Sequence, residues 1–413
     1  MNEIARRPDE VRGLSDLAFG ELRDAVGGIG AIHRAIAKRA FDGVGPAGAP
    51  VRAAHDAISA GAYAALRGAG ALAGRGAGEL LALRRRAGDR ELSTTPSGSA
   101  VLAAINGLVG DELERRGSDL QEPMCVRVDG RPVALEPSAV ARVFPGARPA
   151  LVVFVHGLME TEHAWSLGAA RLGGTYASRL AEDVGCTPVH VRYNTGRHIS
   201  ENGRSLSDLL EALVDAWPVE VEQVALVGHS MGGLVSRSAC HYASEGGARW
   251  VEHVRHVVSL GTPHMGAPLA QAVHWMSAGL HALPEVRPFG AFLRRRSAGI
   301  RDLRQGSLVD EDWTDCDPDA LAAVALAEVP LLDGATHCFV TATITRSDRH
   351  PLGRLLGDAL VLQPSGSGRS RRRRIAFDEE YGVHVGGAHH LALLNHPHVY
   401  ERMREWLVAA QRL

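Results

Sequence analysis

Lysine is almost missing from this chain. Lys38 is the only one among 45 basic residues, and it lies in no glycine-rich phosphate loop. A Walker A nucleotide site is therefore excluded. Cysteine is sparse too. The five, Cys125, Cys186, Cys240, Cys316 and Cys338, are scattered and form no C-x-x-C pair. Neither a disulfide framework nor a cysteine zinc site is expected. Excess charge of one sign is also lacking. The net charge of −2 supplies no global field for nucleic acid. The longest stretch free of Asp, Glu, Lys and Arg is His256 to Pro284, but Gly261, Pro263, Gly266 and Pro268 interrupt it. A transmembrane helix is not expected there. The first twenty residues carry Glu3, Arg6, Arg7, Asp9, Glu10, Arg12 and Asp16 and no apolar core of a signal peptide. The expected compartment is the cytoplasm.

The 413 residues, 45% hydrophobic and 22% charged, suit a globular protein of two or three domains. Residues 1–95 read as a helical region, with Ile29, Ile32, Ile36 and Phe41 at helical spacing. Between Gly30 and Gly88 nine cations face three anions, so peripheral contact with an anionic membrane is one expectation. The other is a small helical bundle packed on the main domain. Thr94 to Ser99 reads as a linker, and a helix follows over about 99–116. Met124 to Leu135 alternates around Asp129-Gly130, a hairpin signal.

Beyond this the pattern changes. Short apolar runs at Ala150–Val155, Pro188–Tyr193, Gln223–Val227, His256–Leu260 and Cys338–Ile344 alternate with helical stretches. They predict an α/β fold, a mostly parallel sheet with helices on both faces, spanning 96–413. Two insertions interrupt it. Residues 263–333 carry an apolar stripe, Leu269, Val273, Met276, Leu280 and Leu283, and read as a lid or cap. Ser365 to Arg374 carries five arginines and reads as a mobile solvated loop, with a phosphate or nucleic-acid site as the rival reading.

The strongest chemical signal is Gly228-His229-Ser230-Met231-Gly232-Gly233, directly after an apolar run and directly before a helical stretch. This is G-x-S-x-G in its strand–turn–helix setting. The sharp turn demands tiny residues two before and two after the serine, and Gly228 and Gly232 meet that demand. It exposes Ser230 as a nucleophile and lets the Met231 N–H donate to an oxyanion. After the first strand, Gly157 of His156-Gly157-Leu158 allows a close bend, so the Leu158 N–H is the expected second donor; His156 itself reads as structural. A serine nucleophile needs a base and an orienter, in the order Ser, acid, His. Asp358, between Gly357 and an apolar run, is preferred as the acid, with Asp348 its rival. His390 is preferred as the base, with His389 its rival. No convergent metal ligands and no dinucleotide loop are recognised, so no metal or other cofactor is expected.

Taken together, His156-Gly157-Leu158, Arg192-Tyr193-Asn194-Thr195-Gly196, the Ser230 motif, Gly261-Thr262-Pro263-His264-Met265-Gly266, Gly357-Asp358-Ala359-Leu360-Val361 and His390-Leu391 resemble the lipase/esterase branch of the α/β-hydrolase superfamily. The nearest likeness is to triacylglycerol-lipase-like and PGAP1-like hydrolases, over about Pro123 to Leu413. The resemblance implies Ser230 as nucleophile, Asp358 as acid, His390 as base, and Leu158 and Met231 as oxyanion donors. One departure is Ala359, where relatives often carry a second glycine. The expected function is hydrolysis of a carboxylic ester or lipid, with no nucleic-acid partner. An acyltransferase with the same triad and a non-catalytic docking protein are the alternatives.

Overall fold

A computed structural model describes residues 91–267, 296–317, 326–347, 350–351, 356–370 and 373–410, together with Gly13. The chain divides into two compact units. One comprises Leu92–Glu112, Glu122–Gln271 and Arg296–Leu413, and it contains the sheet and every site residue discussed below. The other comprises Met1–Glu91, Leu113–Gln121 and Ala272–Arg295. The basic stretch expected to touch membrane and the apolar stripe Leu269–Leu283 lie outside the described residues.

The sheet unit opens with α1 (Pro96–Arg115). The stretch expected to be a linker is thus the start of a helix. Pro96 suits the first helical position, and the Thr95 hydroxyl accepts the Gly98 N–H at 3.2 Å. A hairpin follows, β1 (Cys125–Val128) and β2 (Arg131–Pro132). Its two-residue loop places Asp129 at φ 50° and Gly130 at φ 74°, the twist that a tight hairpin requires.

Apart from the single helical turn Ala169–Leu172 and short 3₁₀ turns, the remaining order is α2 (Pro137–Val143), β3 (Ala150–Val155), α3 (Tyr176–Asp183), β4 (Thr187–Arg192), α4 (Ile199–Ala216), β5 (Gln223–His229), α5 (Met231–Gly246), β6 (Val254–Leu260), α6 (Ala298–Asp302), β7 (Thr336–Thr343), α7 (Gln363–Gly366), β8 (Gly382–Gly386) and α8 (Pro397–Ala410). The strands pair in the order β2-β1-β4-β3-β5-β6-β7-β8. Only the hairpin strand β1 meets its neighbours antiparallel; from β4 to β8 every pairing is parallel.

Burial on both faces explains the uninterrupted apolar strands. Leu151, Val153 and Val155 pack toward α4 and α5 in one cluster with Leu210 and Leu234. Val152 and Phe154 pack toward α3 and α8 with Leu180 and Met403. Strand order reverses around β3, and in open α/β sheets the crevice beyond the strand ends at such a reversal is where sites form. Among the described residues, no helix is long and apolar enough to cross a membrane.

The arginine-rich insertion is more tightly built than expected. Ser365 is buried and its hydroxyl donates to Gly266 O at 2.8 Å while accepting Met265 N–H at 3.1 Å. Arg369 and Arg374 both reach the Glu379 carboxylate. Of the 263–333 insertion, the described α6 segment is anchored to α1: Ser297 donates to Gly107 O at 2.6 Å, and Ala298 N–H donates to Asp111 at 3.2 Å.

Candidate active site

Ser230 sits between β5 and α5 at φ 53°, ψ −120°. A non-glycine residue in such a conformation stores roughly 1–3 kcal/mol of strain. Its neighbours make the turn feasible. A Cβ on Gly228 would lie 2.4 Å from Gly233 N, and one on Gly232 would lie 2.1 Å from Val155 O. Only glycine fits at either place. The Ser230 N–H donates to Leu260 O at 2.8 Å, tying the turn to β6. Met231 begins α5, where helix N–H groups lack intrahelical acceptors.

The loop after β3 closes on the same point. A Cβ on Gly157 would come within 3.0 Å of the Ser230 Cβ. Leu158 follows it, partly buried, and Met159 turns the chain back at φ 59°. His156 is fully buried, stacks on Tyr193 at 4.5 Å, and shares its Nδ1 with Gly157 O at 2.9 Å. Burial depresses its pKa, so it stays neutral. The Arg192-Tyr193-Asn194 run is structural as well. The buried Arg192 guanidinium grips Glu162 at 2.6 and 2.5 Å and Glu122 at 3.0 Å, and the Tyr193 hydroxyl donates to His156 O at 2.8 Å.

Asp358 and His390 come from the loops after β7 and β8. The His390 Nδ1–H donates to Asp358 Oδ2 at 2.8 Å. Asp358 Oδ1 accepts the N–H groups of Leu360 and Val361 at 2.9 and 2.7 Å, and Asp358 O accepts the His390 N–H at 2.9 Å. Both residues are buried, whereas His389 is exposed. Asp348 lies outside the described residues. The His390 ring lies 4.8 Å from that of His229, the residue before the serine, and a Cβ on Gly261 would be 3.0 Å from it. Its Nε2 is buried with no hydrogen-bond partner among the described residues, Ser230 included. With Nδ1 donating its proton to Asp358, Nε2 carries the basic lone pair. Asn395, at φ 53°, fastens this end of the chain. Its side chain accepts Tyr176 N–H at 2.6 Å and donates to Trp165 O and Leu167 O at 2.7 and 2.8 Å.

One departure noted in the sequence has a geometric meaning, and one site feature, Glu160, escaped the sequence reading. Ala359 adopts φ 85°, the backbone region where the resemblance leads one to expect glycine. Glu160 accepts both the Gly157 N–H at 2.8 Å and the His229 Nδ1–H at 3.0 Å through one oxygen, Oε2. Burial opposes its charge, but His229 and the Gly157 N–H prevail and hold its pKa at about 2. Burial opposes the His229 charge as well, and Glu160 prevails there too, raising that pKa. A lone Glu three residues after a glycine carries no sequence signature; only the fold brings it to His229. Among the described residues, no group of His, Cys, Asp or Glu is arranged to hold a metal ion.

Sheet order, serine turn and flanking loops define an α/β-hydrolase fold. Within it, residues 148–283 match the family model of the PGAP1-like alpha/beta domain. No curated protein matches the chain by sequence. Among solved structures, the chain is similar to the Bacillus licheniformis lipase BlEst2 in its mature form, at 19% identity and a TM-score of 0.40, over 63% of this chain and 93% of that one. The propeptide form of that lipase aligns at 19% identity and a TM-score of 0.42, over 62% and 50%. An esterase of Pyrobaculum calidifontis aligns at 15% identity and a TM-score of 0.36, over 81% and 95%.

Proposed function

We propose that this protein is a serine hydrolase of carboxylic esters, with Ser230 as nucleophile, His390 as base and Asp358 as orienter. The observation that carries the reading is the buried His390–Asp358 pair at 2.8 Å, whose Nε2 is unpartnered beside the strained Ser230 turn. His390 takes the hydroxyl proton as Ser230 attacks the acyl carbonyl, and Asp358 stabilises the imidazolium that forms. The N–H groups of Leu158 and Met231 receive the oxyanion, each worth roughly 3–4 kcal/mol in the transition state. His390 then protonates the leaving alcohol, and water, activated by the same imidazole, releases the acid from the acyl-enzyme.

The test is initial rates on p-nitrophenyl esters of increasing acyl length, wild type beside Ser230→Ala. The variant is expected to keep its circular dichroism and lose at least about a thousandfold in kcat. A folded Ser230→Ala protein that still turns over would overturn the assignment.

A further inference from the structure

On the α5 side of the sheet, a second group of buried polar side chains surrounds Phe377. The Arg237 guanidinium carbon is 6.0 Å from the centre of that ring, the His264 ring 4.9 Å, and the His337 ring 6.4 Å. Arg237, His264, His337 and Thr262 are all more than nine-tenths buried. Among the described residues, their hydrogen bonds do not close. Arg237 Nη2 donates to Val329 O at 3.0 Å, but Nε and Nη1 have no partner. Neither nitrogen of His264 has one, nor does the Thr262 hydroxyl. His337 Nε2 lies 3.0 Å from Leu332 N and 3.3 Å from Leu332 O, so that atom is satisfied in either tautomer, and its Nδ1 is unpartnered. Arg373, half-buried, adds an unpartnered Nη1.

Every free donor here points to the same deficiency. Among the described residues, the charged groups that act on His264 are Arg237, His337 and Arg373, and those that act on Arg237 are Arg373 and, in the opposite sense, the Cys240 thiol; no carboxylate is among them. Burial, aided by these like charges, lowers the Arg237 pKa to about 9 and that of His264 well below its usual value. A buried donor without an acceptor costs about 1–3 kcal/mol, and a buried unpaired cation more. Proteins do not retain such a group without compensation, and the compensation these donors lack is an acceptor of negative charge.

We propose that Arg237, His264, His337, Thr262 and Arg373 form a binding site for an oxyanion, a phosphate or carboxylate group, seated between α5, β7 and the segment ending at Phe377. Arginine forks and imidazole N–H groups match the oxygens of such a group, and Thr262 adds a hydroxyl donor. Half-buried Arg373 marks the solvent side. Thr262 ties the site to the nucleophile helix: a Cβ on Gly233 would lie 2.1 Å from its Oγ1. Arg237 follows Ser230 by seven residues along α5, about 10 Å of helix. The anion is therefore either a free ion or a charged group of the molecule acted on at Ser230.

The experiment is thermal unfolding of the full chain in inorganic phosphate, and separately in acetate, against chloride at equal ionic strength. Wild type is expected to gain about 2 °C or more when one of these anions stands well above its dissociation constant. Arg237→Met is expected to lose the shift. Arg373→Gln, at a half-exposed position that does not endanger folding, is expected to bind at least tenfold more weakly. The two sources separate on p-nitrophenyl ester kinetics: competition with substrate, seen as a raised KM, marks a substrate group, and an unchanged KM marks an independent ion. Unfolding reads binding whether or not the protein hydrolyses esters, so failure of the esterase reading leaves this test intact. No shift with either anion in wild type, or an equal shift in wild type and Arg373→Gln, overturns the proposal.

Discussion

Two pairs of buried histidines flank α5, the helix that follows Ser230, and they live in opposite electrostatic worlds. Near the serine, each histidine has a carboxylate: His390 has Asp358 at 2.8 Å and His229 has Glu160 at 3.0 Å, with the two rings 4.8 Å apart. Around Phe377, His264 and His337 share their surroundings with Arg237 and have none. The difference teaches that burial alone does not decide what a histidine does. A carboxylate fixes the ring tautomer and keeps the charged form within reach. Arginines beside a buried ring keep it neutral, and its N–H groups remain for an acceptor from outside the protein.

The comparison breaks most severely at Asp358. Asp358→Asn leaves the shape intact but offers the His390 ring the wrong partner for its Nδ1–H, so kcat on p-nitrophenyl esters is expected to fall about ten-thousandfold with little change in KM. A fall of less than tenfold would remove Asp358 from the orienting role. Glu160→Gln comes next. It removes the charge that His229 and the Gly157 N–H share, and is expected to destabilise the protein by about 3 kcal/mol at pH 7, measured by urea unfolding.

The pH dependence follows from the direction of the shift. Glu160 titrates at about 2 in the folded protein against 4.5 ordinarily, so its contribution is complete above about pH 4.5 and is lost as pH falls toward 2. Glu160→Gln should flatten that acid limb of the stability curve; an unchanged limb would show that other carboxylates set it. The smallest effect lies at Ala359, whose φ of 85° strains the turn that presents Asp358. Ala359→Gly should stabilise the fold by about 1 kcal/mol or less, read as a small rise in Tm, with kcat unaltered.

Much of this is legible in the sequence alone. The serine turn is a steric demand, and Gly228 and Gly232 announce it in the sequence. Strands β3 to β7 are short apolar runs because both faces of the sheet are covered, and their boundaries agree with the reading to within two residues. Strand β8, Gly382–Gly386, was missed because glycine at both ends hides its alternation. The helix start at Pro96 reads as a linker in the sequence because Thr, Ser, Gly and Pro serve turns and helix caps alike. Glu160 and Arg237 were invisible for a different reason. Their meaning lies in partners distant in sequence, or in the lack of partners, and no local pattern records either.

The Asn395 clasp carries a consequence for the order in which the molecule is made. The serine turn needs β3, β5 and β6, and all three precede Asp358 and His390 in the chain. Asn395 follows all of these in the chain, and only once it has appeared can its side chain bind Tyr176, Trp165 and Leu167 behind the β3 loop. Synthesis therefore forms the Ser230 turn before the segment that carries His390 can be fastened beside it.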